Sequence, residues 1–499
     1  MLTNNEINIL DLPDEMLLYI LKKLNNIDIL YSLVDVNQRF DRLILNSLYT
    51  HDLNFTTNSL MNYKSKEYNE VLDRICKIIL PKIHHQINKL TLGQFSLEHV
   101  LCTFNFPKLN SLSLVSFQFE ALLPYIVECS ILYYLIRNQI MYLNLDIESN
   151  NTNILELELY VFRLMLEWGK HLIDFTFSNR LSVMTSYSFL SRRSCVSSNL
   201  TKLTINVNTF DDCLCILDGR FNRLLTLIID IEKISISTLD IDNMKQISKL
   251  KFFSLTSIKQ TTFYDEQIVS LLRQMSNLEE LTLFLMIKRY DSTYIDGNQL
   301  YNQILIHMPR LNKFTFSINT LICNRYVNII LPSNDDIQRS FIERKFQHVD
   351  SYADNYLVNC EGRCHIYSLP YQFDKFHHLN NSFQGRIFEK VEWVIMTDTR
   401  PFEHEFFKNI SKSFPFLRQL SVINDEQQKI KQNSSILVIF PYLRSLNLTF
   451  AHIDYVEEFL LKKNTHLPCL LYLKMKYQSL VIITNHFTNN AIEFNFAQL

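Results

Sequence analysis

The sequence predicts an α/β solenoid, in which each unit is a helix, a turn and a short strand. The strands would form a parallel concave sheet with the helices outside it. Three observations predict this. Five segments share one proline frame, an apolar pivot returns about every 27 residues, and a small polar residue usually sits between two apolar ones at that pivot. One such unit cannot bury its apolar face alone, so neighbouring units stack and share a core.

The frame is Pro-x-Φ-x-x-Φ-x-Φ, where Φ is apolar. It stands in FPKLNSLSL (106–114), MPRLNKFTF (308–316), FPFLRQLSV (414–422), FPYLRSLNL (440–448) and LPCLLYLKM (467–475). Without the proline, fourteen pivots appear: Leu90, Leu112, Leu143, Phe175, Leu203, Leu227, Phe253, Leu281, Phe314, Trp393, Leu420, Leu446, Leu473 and Phe494. Twelve of the thirteen spacings run from 21 to 33 residues, and the exception, 79, follows Phe314.

Apolar residues two apart are the signature of a half-buried strand, so the residue between them faces the other way. Those residues are Thr91, Ser113, Asn144, Thr176, Thr204, Ile228, Ser254, Thr282, Thr315, Val394, Ser421, Asn447, Lys474 and Asn495, and eleven of the fourteen are Ser, Thr or Asn. The polar ones as far as Lys474 make a candidate substrate-binding face. Helical stripes fill the intervals. In 265–275 Asp265 is a candidate cap, and Ile268, Leu271, Leu272 and Met275 fall at i, i+3, i+4 and i+7. In 452–463 Asp454 is the candidate cap, with Val456, Phe459 and Leu460 on one face. The prolines end these helices and lead into the next strand.

Over roughly residues 87–499 the pattern resembles the leucine-rich-repeat superfamily, in its irregular, longer-period, helix-containing branch. It departs from that family's motif where an Asn or Cys usually follows the second apolar position. The long gap, an irregular insert near 320–390, reads as two degenerate repeats or as a loop at the binding face. Residues 51–86, with Val71, Leu72, Ile75, Ile78 and Ile79, read as a helical cap on the first repeat. The final AIEFNFAQL reads as a strand with no capping helix after it. That end is expected either to be truncated or to meet a partner.

The first fifty residues do not fit the repeat and read as three short helices. The first spans about Pro13 to Leu24, with Leu17, Ile20, Leu21 and Leu24 as its apolar stripe. Pro13 suits a first helical turn, because its missing N–H has no partner there. Asp28 opens the second helix, which carries Leu30, Leu33 and Val34, and the third follows Asn37 with Phe40, Leu43, Ile44 and Leu48. So short a segment does not bury all these side chains internally.

Leu12-Pro13-Asp14-Glu15, the apolar helix with Ile20 and Leu24, Asp28, and Val36-Asn37-Gln38-Arg39-Phe40 together resemble the F-box, over roughly residues 8–50. Phe40 stands where many members carry Trp. The resemblance implies docking into the Skp-type adaptor of a Skp–cullin–F-box ubiquitin ligase. Leu12, Pro13, Met16, Ile20, Leu24, Leu30, Val34 and Phe40 would face the adaptor, at least in part. The repeats would then hold an unknown protein substrate, and rate would come from proximity. The alternative is a leucine-rich-repeat scaffold whose N-terminal helices only cap the array.

Other classes find little support. With 49 basic and 51 acidic residues, the chain lacks the basic excess of a nucleic-acid-binding surface. The N-terminus is polar, and the longest apolar stretch, 122–136, is broken by Pro124 and Glu128 and is too short to span a bilayer. The ten cysteines show no framework, which points to a cytoplasmic or nuclear protein with reduced thiols. Six scattered glycines rule out the Gly-rich phosphate loops, and no cofactor or catalytic group is expected. Cys360, Cys364, His365, His377 and His378 have a faint zinc spacing, but read as surface residues of the insert. Cys213 and Cys215 read as core, and Arg192-Arg193 as a solvated loop in preference to a phosphate reader.

Overall fold

Leu53, Leu90, Leu112, Leu143, Phe175, Leu203, Leu227 and Phe253 stand opposite one another in register, each on its own strand. They lie between 0 and 2% exposed, as a stack of pivots requires. The computed structural model describes residues 9–45, 47–56, 66–101, 103–127, 130–148, 155–179, 199–237, 239, 241, 249–324, 329–344, 346, 348–356, 361–429 and 437–485. The fold is α/β, with a large, mostly parallel sheet and helices. It divides into two compact units. The first holds residues 1–259, 265–281 and 307–312, and the second holds 260–264, 282–306 and 313–499.

In the first unit the strands run side by side in sequence order. They are β1 (Asp52–Asn54), β2 (Lys89–Leu92), β3 (Ser111–Gln118), β4 (Tyr142–Glu148), β5 (Asp174–Asn179), β6 (Lys202–Thr209), β7 (Thr226–Lys233) and β8 (Phe252–Thr261). All seven neighbouring pairs are parallel. The sheet begins one rung earlier than the spacing suggests. Leu53 and Phe55 are buried, and the backbone N–H of Phe55 donates to the Thr91 carbonyl at 2.7 Å. The helices Lys66–Arg74, Ile75–Ile79 and Leu80–Ile83 follow, with Val71, Leu72, Ile75 and Ile79 buried and Ile78 exposed.

One backbone device repeats at the start of most of the parallel rungs. Two successive N–H groups share a single carbonyl of the rung before. Asn110 and Ser111 donate to Asn88, Thr201 and Lys202 to Ile173, and Arg444 and Ser445 to Arg418, at 2.8–3.1 Å. The proline frame makes the approach. In all five cases the residue before the proline accepts from the N–H three residues on, at 3.1–3.5 Å: Phe106 from Leu109, Met308 from Leu311, Phe414 from Leu417, Phe440 from Leu443 and Leu467 from Leu470. Proline with its fixed φ suits the second position of such a turn. Phe221 and Met275 accept in the same way without a proline, so the residue is favourable and not required.

The second unit holds most of β9 (Glu280–Tyr290), then β10 (Lys313–Cys323), β11 (Val349–Tyr356) and β12 (Glu361–Ser368), in the order β9-β10-β12-β11. It also holds a parallel sheet of β13 (Lys375–Leu379), β14 (Trp393–Thr397), β15 (Gln419–Asn424), β17 (Ser445–Ala451) and β19 (Tyr472–Lys474). The short strands β16 (Val438–Ile439) and β18 (Thr465–His466) pair with each other.

The long gap proves to be neither two degenerate repeats nor a loop. It holds a helix, Asn334–Glu343, started by a Ser333–Asp336 capping box, then the antiparallel hairpin β11–β12, which lies antiparallel to β10. A hidden parallel rung, β13, follows with Phe376 as its pivot. Trp393 is not a pivot. Val394 pairs with Phe376 and Leu420 and is 0% exposed, while Trp393 is half-buried. Because side chains alternate, that one-residue slip also moves Val394 from the face it was expected on, and Ile395 stands there instead.

The helix stripes are buried as expected: Ile268, Leu271, Leu272 and Met275, and Val456, Phe459 and Leu460, are all 0% exposed. Their caps differ. Asp265 lies inside a π-helical turn, Tyr264–Val269, and His452 caps Ile453–Leu460 by accepting from the Asp454 N–H at 3.2 Å. The apolar stretch 122–136 falls on two helices, Phe119–Val127 and Ser130–Asn138. Among the described residues no single helix is long and apolar enough to cross a membrane. Phe494, Asn495, the final AIEFNFAQL and Arg192-Arg193 lie outside the described residues.

Candidate docking surface

Three helices open the first unit: α1 (Asp14–Leu21), α2 (Asn26–Leu33) and α3 (Gln38–Ile44). Pro13 stands one position outside α1, as its cap residue with extended ψ. Asn25, and not Asp28, caps α2 by accepting from the Ile27 N–H at 2.8 Å. Asn37 caps α3 by accepting from the Phe40 N–H at 2.8 Å. Each cap satisfies a backbone donor that the helix itself leaves unpaired.

Arg39 is the clamp of this segment. Its guanidinium donates to the carbonyls of Leu10 and Leu12 at 2.5 and 2.6 Å and to the Asp14 carboxylate at 2.8 Å. Arg42 adds a bond to the other Asp14 oxygen at 3.0 Å. The hydrogen bond from Arg39 is the chief reason that the Asp14 carboxyl titrates below its ordinary range. The Leu-Pro turn and the Val-Asn-x-Arg-Phe stretch are thus tied together.

The opening stripe splits between two faces. Leu17 and Leu21 are buried at 1 and 5%, whereas Met16, Tyr19, Ile20 and Leu24 stand 50, 63, 38 and 54% exposed. Leu12 is half-buried and Pro13 exposed. Leu30 and Val34 are 0% exposed and Phe40 is 5% exposed, so these three serve the internal core and offer no surface. The reason is that α2 faces the rest of its own unit. Asn26 donates to the Asp52 carbonyl at 3.0 Å, and Arg74 donates to the carbonyls of Tyr31 and Val34 at 3.1 and 2.8 Å. Tyr19, Val36 and Leu48 are exposed apolar residues that the sequence reading does not place on the docking face. The available signal was that α1 is apolar on two sides, which a simple surface helix is not.

The polar row expected on the sheet forms in register. Thr91, Ser113, Asn144, Thr176, Thr204, Ile228 and Ser254 are successive partners, with Asn54 ahead of them. In the second unit Ile395, Ser421, Asn447 and Lys474 form a like row. Thr282 is half-buried and Thr315 is 8% exposed. Most of the row is half-buried, because neighbouring strands shoulder it, and Asn144 donates to Ser113 within it at 2.8 Å. Of the named row residues only Asn54 and Lys474, at the two outer strands, are exposed.

The zinc-spaced residues are not at the surface. Cys364 and His365 are 3 and 1% exposed on β12, and His377 is 4% exposed on β13. Cys360 lies outside the described residues. His365 hydrogen-bonds Ser317 at 2.9 Å and Tyr352 at 3.2 Å, within a cluster of rings around Phe376. Burial drives the His365 pKa well down, and those of His377 and His378 to about 3 and about 4, so all three are neutral at pH 7. Burial raises the Cys364 thiol out of the reactive range. No group of three or more metal-ligating side chains occurs among the described residues. Cys213 is buried as expected, and Cys215 is half-buried.

Compared with known families and with curated proteins, the chain matches no family model and no curated protein.

Proposed function

We propose that this chain is the substrate receptor of a Skp–cullin–F-box type ubiquitin ligase, and that it is not itself an enzyme. Its N-terminal helices resemble an F-box, and its repeating strands resemble a leucine-rich-repeat array. The observation that carries the reading is the divided α1. One row, Leu17 and Leu21, is buried, and a second apolar row, Met16, Tyr19 and Ile20, continued past the helix by Leu24, is left open, with Pro13 before it also exposed. Exposed apolar side chains at helical spacing on an otherwise charge-balanced chain are typical of a protein-docking surface. In this reading Leu12, Pro13, Met16, Ile20 and Leu24 meet the adaptor, while Leu30, Val34 and Phe40 hold the helices in shape. The polar rows would receive a protein substrate, and the ligase would supply ubiquitin by proximity.

A second reading is a leucine-rich-repeat scaffold whose N-terminal helices only cap the array. The bonds from Asn26 to Asp52 and from Arg74 to Tyr31 and Val34 favour it, because they tie α2 to the rest of its unit. Binding to a purified Skp-type adaptor separates the two. The receptor reading expects micromolar or tighter binding, lost by at least tenfold in Ile20→Asp with the circular dichroism spectrum unchanged. Absence of binding by the wild-type chain at micromolar concentration leaves the scaffold.

A further inference from the structure

A small cavity of about 20 Å³ lies in the second unit, walled by β9, β10 and β12 and by the chain around His378. It is unusual for what lines it. The side-chain nitrogens Arg363 Nη1, Asn319 Nδ2 and Asn380 Nδ2 are buried there without any hydrogen-bond partner. His378 Nδ1 is buried and unpartnered in the same wall. Asn319 and Asn380 are 8 and 1% exposed. Buried polar groups are nearly always paired, so four orphans on one cavity call for a partner there.

Several features aim these groups inward. Asn380 Oδ1 accepts from the Ser382 N–H at 3.0 Å, which settles the amide's orientation and leaves its buried NH₂ as the unpaired end in the cavity wall. His378 sits at φ +56°, at a register shift between Phe376 and Leu379. Such a bulge redirects a side chain, and a left-handed non-glycine residue marks a constrained site. Asp354 lies opposite Arg363 in the β11–β12 register, yet its carboxylate binds Arg400 and the Ser382 hydroxyl. Among the described residues no carboxylate pairs with Arg363.

The donors decide the ligand's chemistry. A cavity needs about 10–15 Å³ to hold one water, so only a water or the head of a small group fits. A water accepts two hydrogen bonds and carries no charge. Here three unpaired N–H donors line one small cavity, one of them on a full positive charge. A carboxylate accepts only, has about four lone-pair positions, and matches an arginine well. We infer that this cavity is a carboxylate-binding site, in which Arg363, Asn319 and Asn380 receive the carboxylate of a ligand. The inference stands apart from the ligase reading and holds whether or not an adaptor binds. The carboxylate belongs either to a free small acid or to a peptide.

The test is thermal unfolding of the full chain with sodium acetate, sodium chloride at equal ionic strength, and a short peptide in free-acid and C-terminally amidated forms. The site predicts a saturable rise in Tm with acetate. It also predicts an apparent affinity at least tenfold weaker in Arg363→Gln, and no saturable rise in Asn380→Asp, which places the protein's own carboxylate in the cavity. Circular dichroism checks that each variant folds, and either one alone suffices. If the free-acid peptide binds at least tenfold more tightly than both acetate and the amide, a chain end is the source. If acetate matches the free-acid peptide and the amide is inert, a small acid is the source. Equal responses of wild type and variants, an equally effective amide, or an equal saturable response to chloride would each overturn the inference.

Discussion

Replacing Phe376 by Ala tests the hidden rung, because Phe376 is its pivot and the hub of the second unit's aromatic core. Its ring is 0% exposed. It touches Tyr352, His365, Tyr367, Tyr371, Phe383, Phe388 and Phe414, with centroids 4.8–6.4 Å away. Removing a buried Phe side chain costs about 3–5 kcal/mol, more where neighbours cannot collapse into the space. Here several neighbours are fixed: the Tyr371 hydroxyl donates to the Lys375 carbonyl at 2.7 Å, and His365 is held by Ser317 and Tyr352. The expected loss is therefore about 4–5 kcal/mol for Phe376→Ala, against about 1–1.5 kcal/mol for Phe376→Leu, which keeps much of the volume. The chain has two tryptophans, and Trp393 lies on the neighbouring strand with its ring 5.6 Å from His377. Denaturant unfolding followed by Trp393 fluorescence, in a Trp168→Phe background, reads the second unit. A loss below about 1 kcal/mol for Phe376→Ala would refute the assignment of this rung.

Acid should weaken the second unit before carboxylates titrate. His365, His377 and His378 have folded pKa values pushed far below 6.5, so the unfolded chain binds protons first as pH falls. Stability is fully present above the unfolded value near 6.5 and falls below it, by up to about 1.4 kcal/mol per pH unit for each proton. The Trp393-reported transition should move to lower denaturant between pH 7 and pH 5, and an unchanged midpoint would contradict buried neutral histidines. Arg39→Ala frees the carbonyls of Leu10 and Leu12 and should cost about 1 kcal/mol. Hydrogen exchange should quicken in α1 and leave β3–β6 alone, and unchanged exchange in α1 would argue against the clamp.

The stack was legible because alternation and a fixed period are strong signals. The pivots from Leu90 to Leu281 all fall on strands, since each is a Leu or Phe with a second apolar residue two positions on, and all but Ile228 of the residues between are polar. The signal failed where both faces are apolar or where the period breaks. VEWVIMT offers apolar residues in both alternating frames, so Trp393 was taken for Val394. In KFHHL the shift at His378 puts Phe376 and Leu379 three apart, both 0% exposed, which hides the rung. The hairpin β11–β12 is buried on both faces over Cys364 to Ser368, so its strands show no alternation. At the N-terminus the apolar helices were legible, but their partition was not. Whether Leu30 or Ile20 faces outward depends on Asn26 reaching Asp52 and Arg74 reaching Val34, contacts between residues 26 and 40 positions apart.

In the receptor reading α1 offers its exposed apolar row to another protein while α2 is turned inward. Amide hydrogen exchange of the full chain with and without a purified Skp-type adaptor measures this directly. New protection should concentrate on α1 and the residues flanking it, with α2 and strands β3–β6 unchanged. Protection on α2 in place of α1, or none anywhere at saturating adaptor, would contradict it.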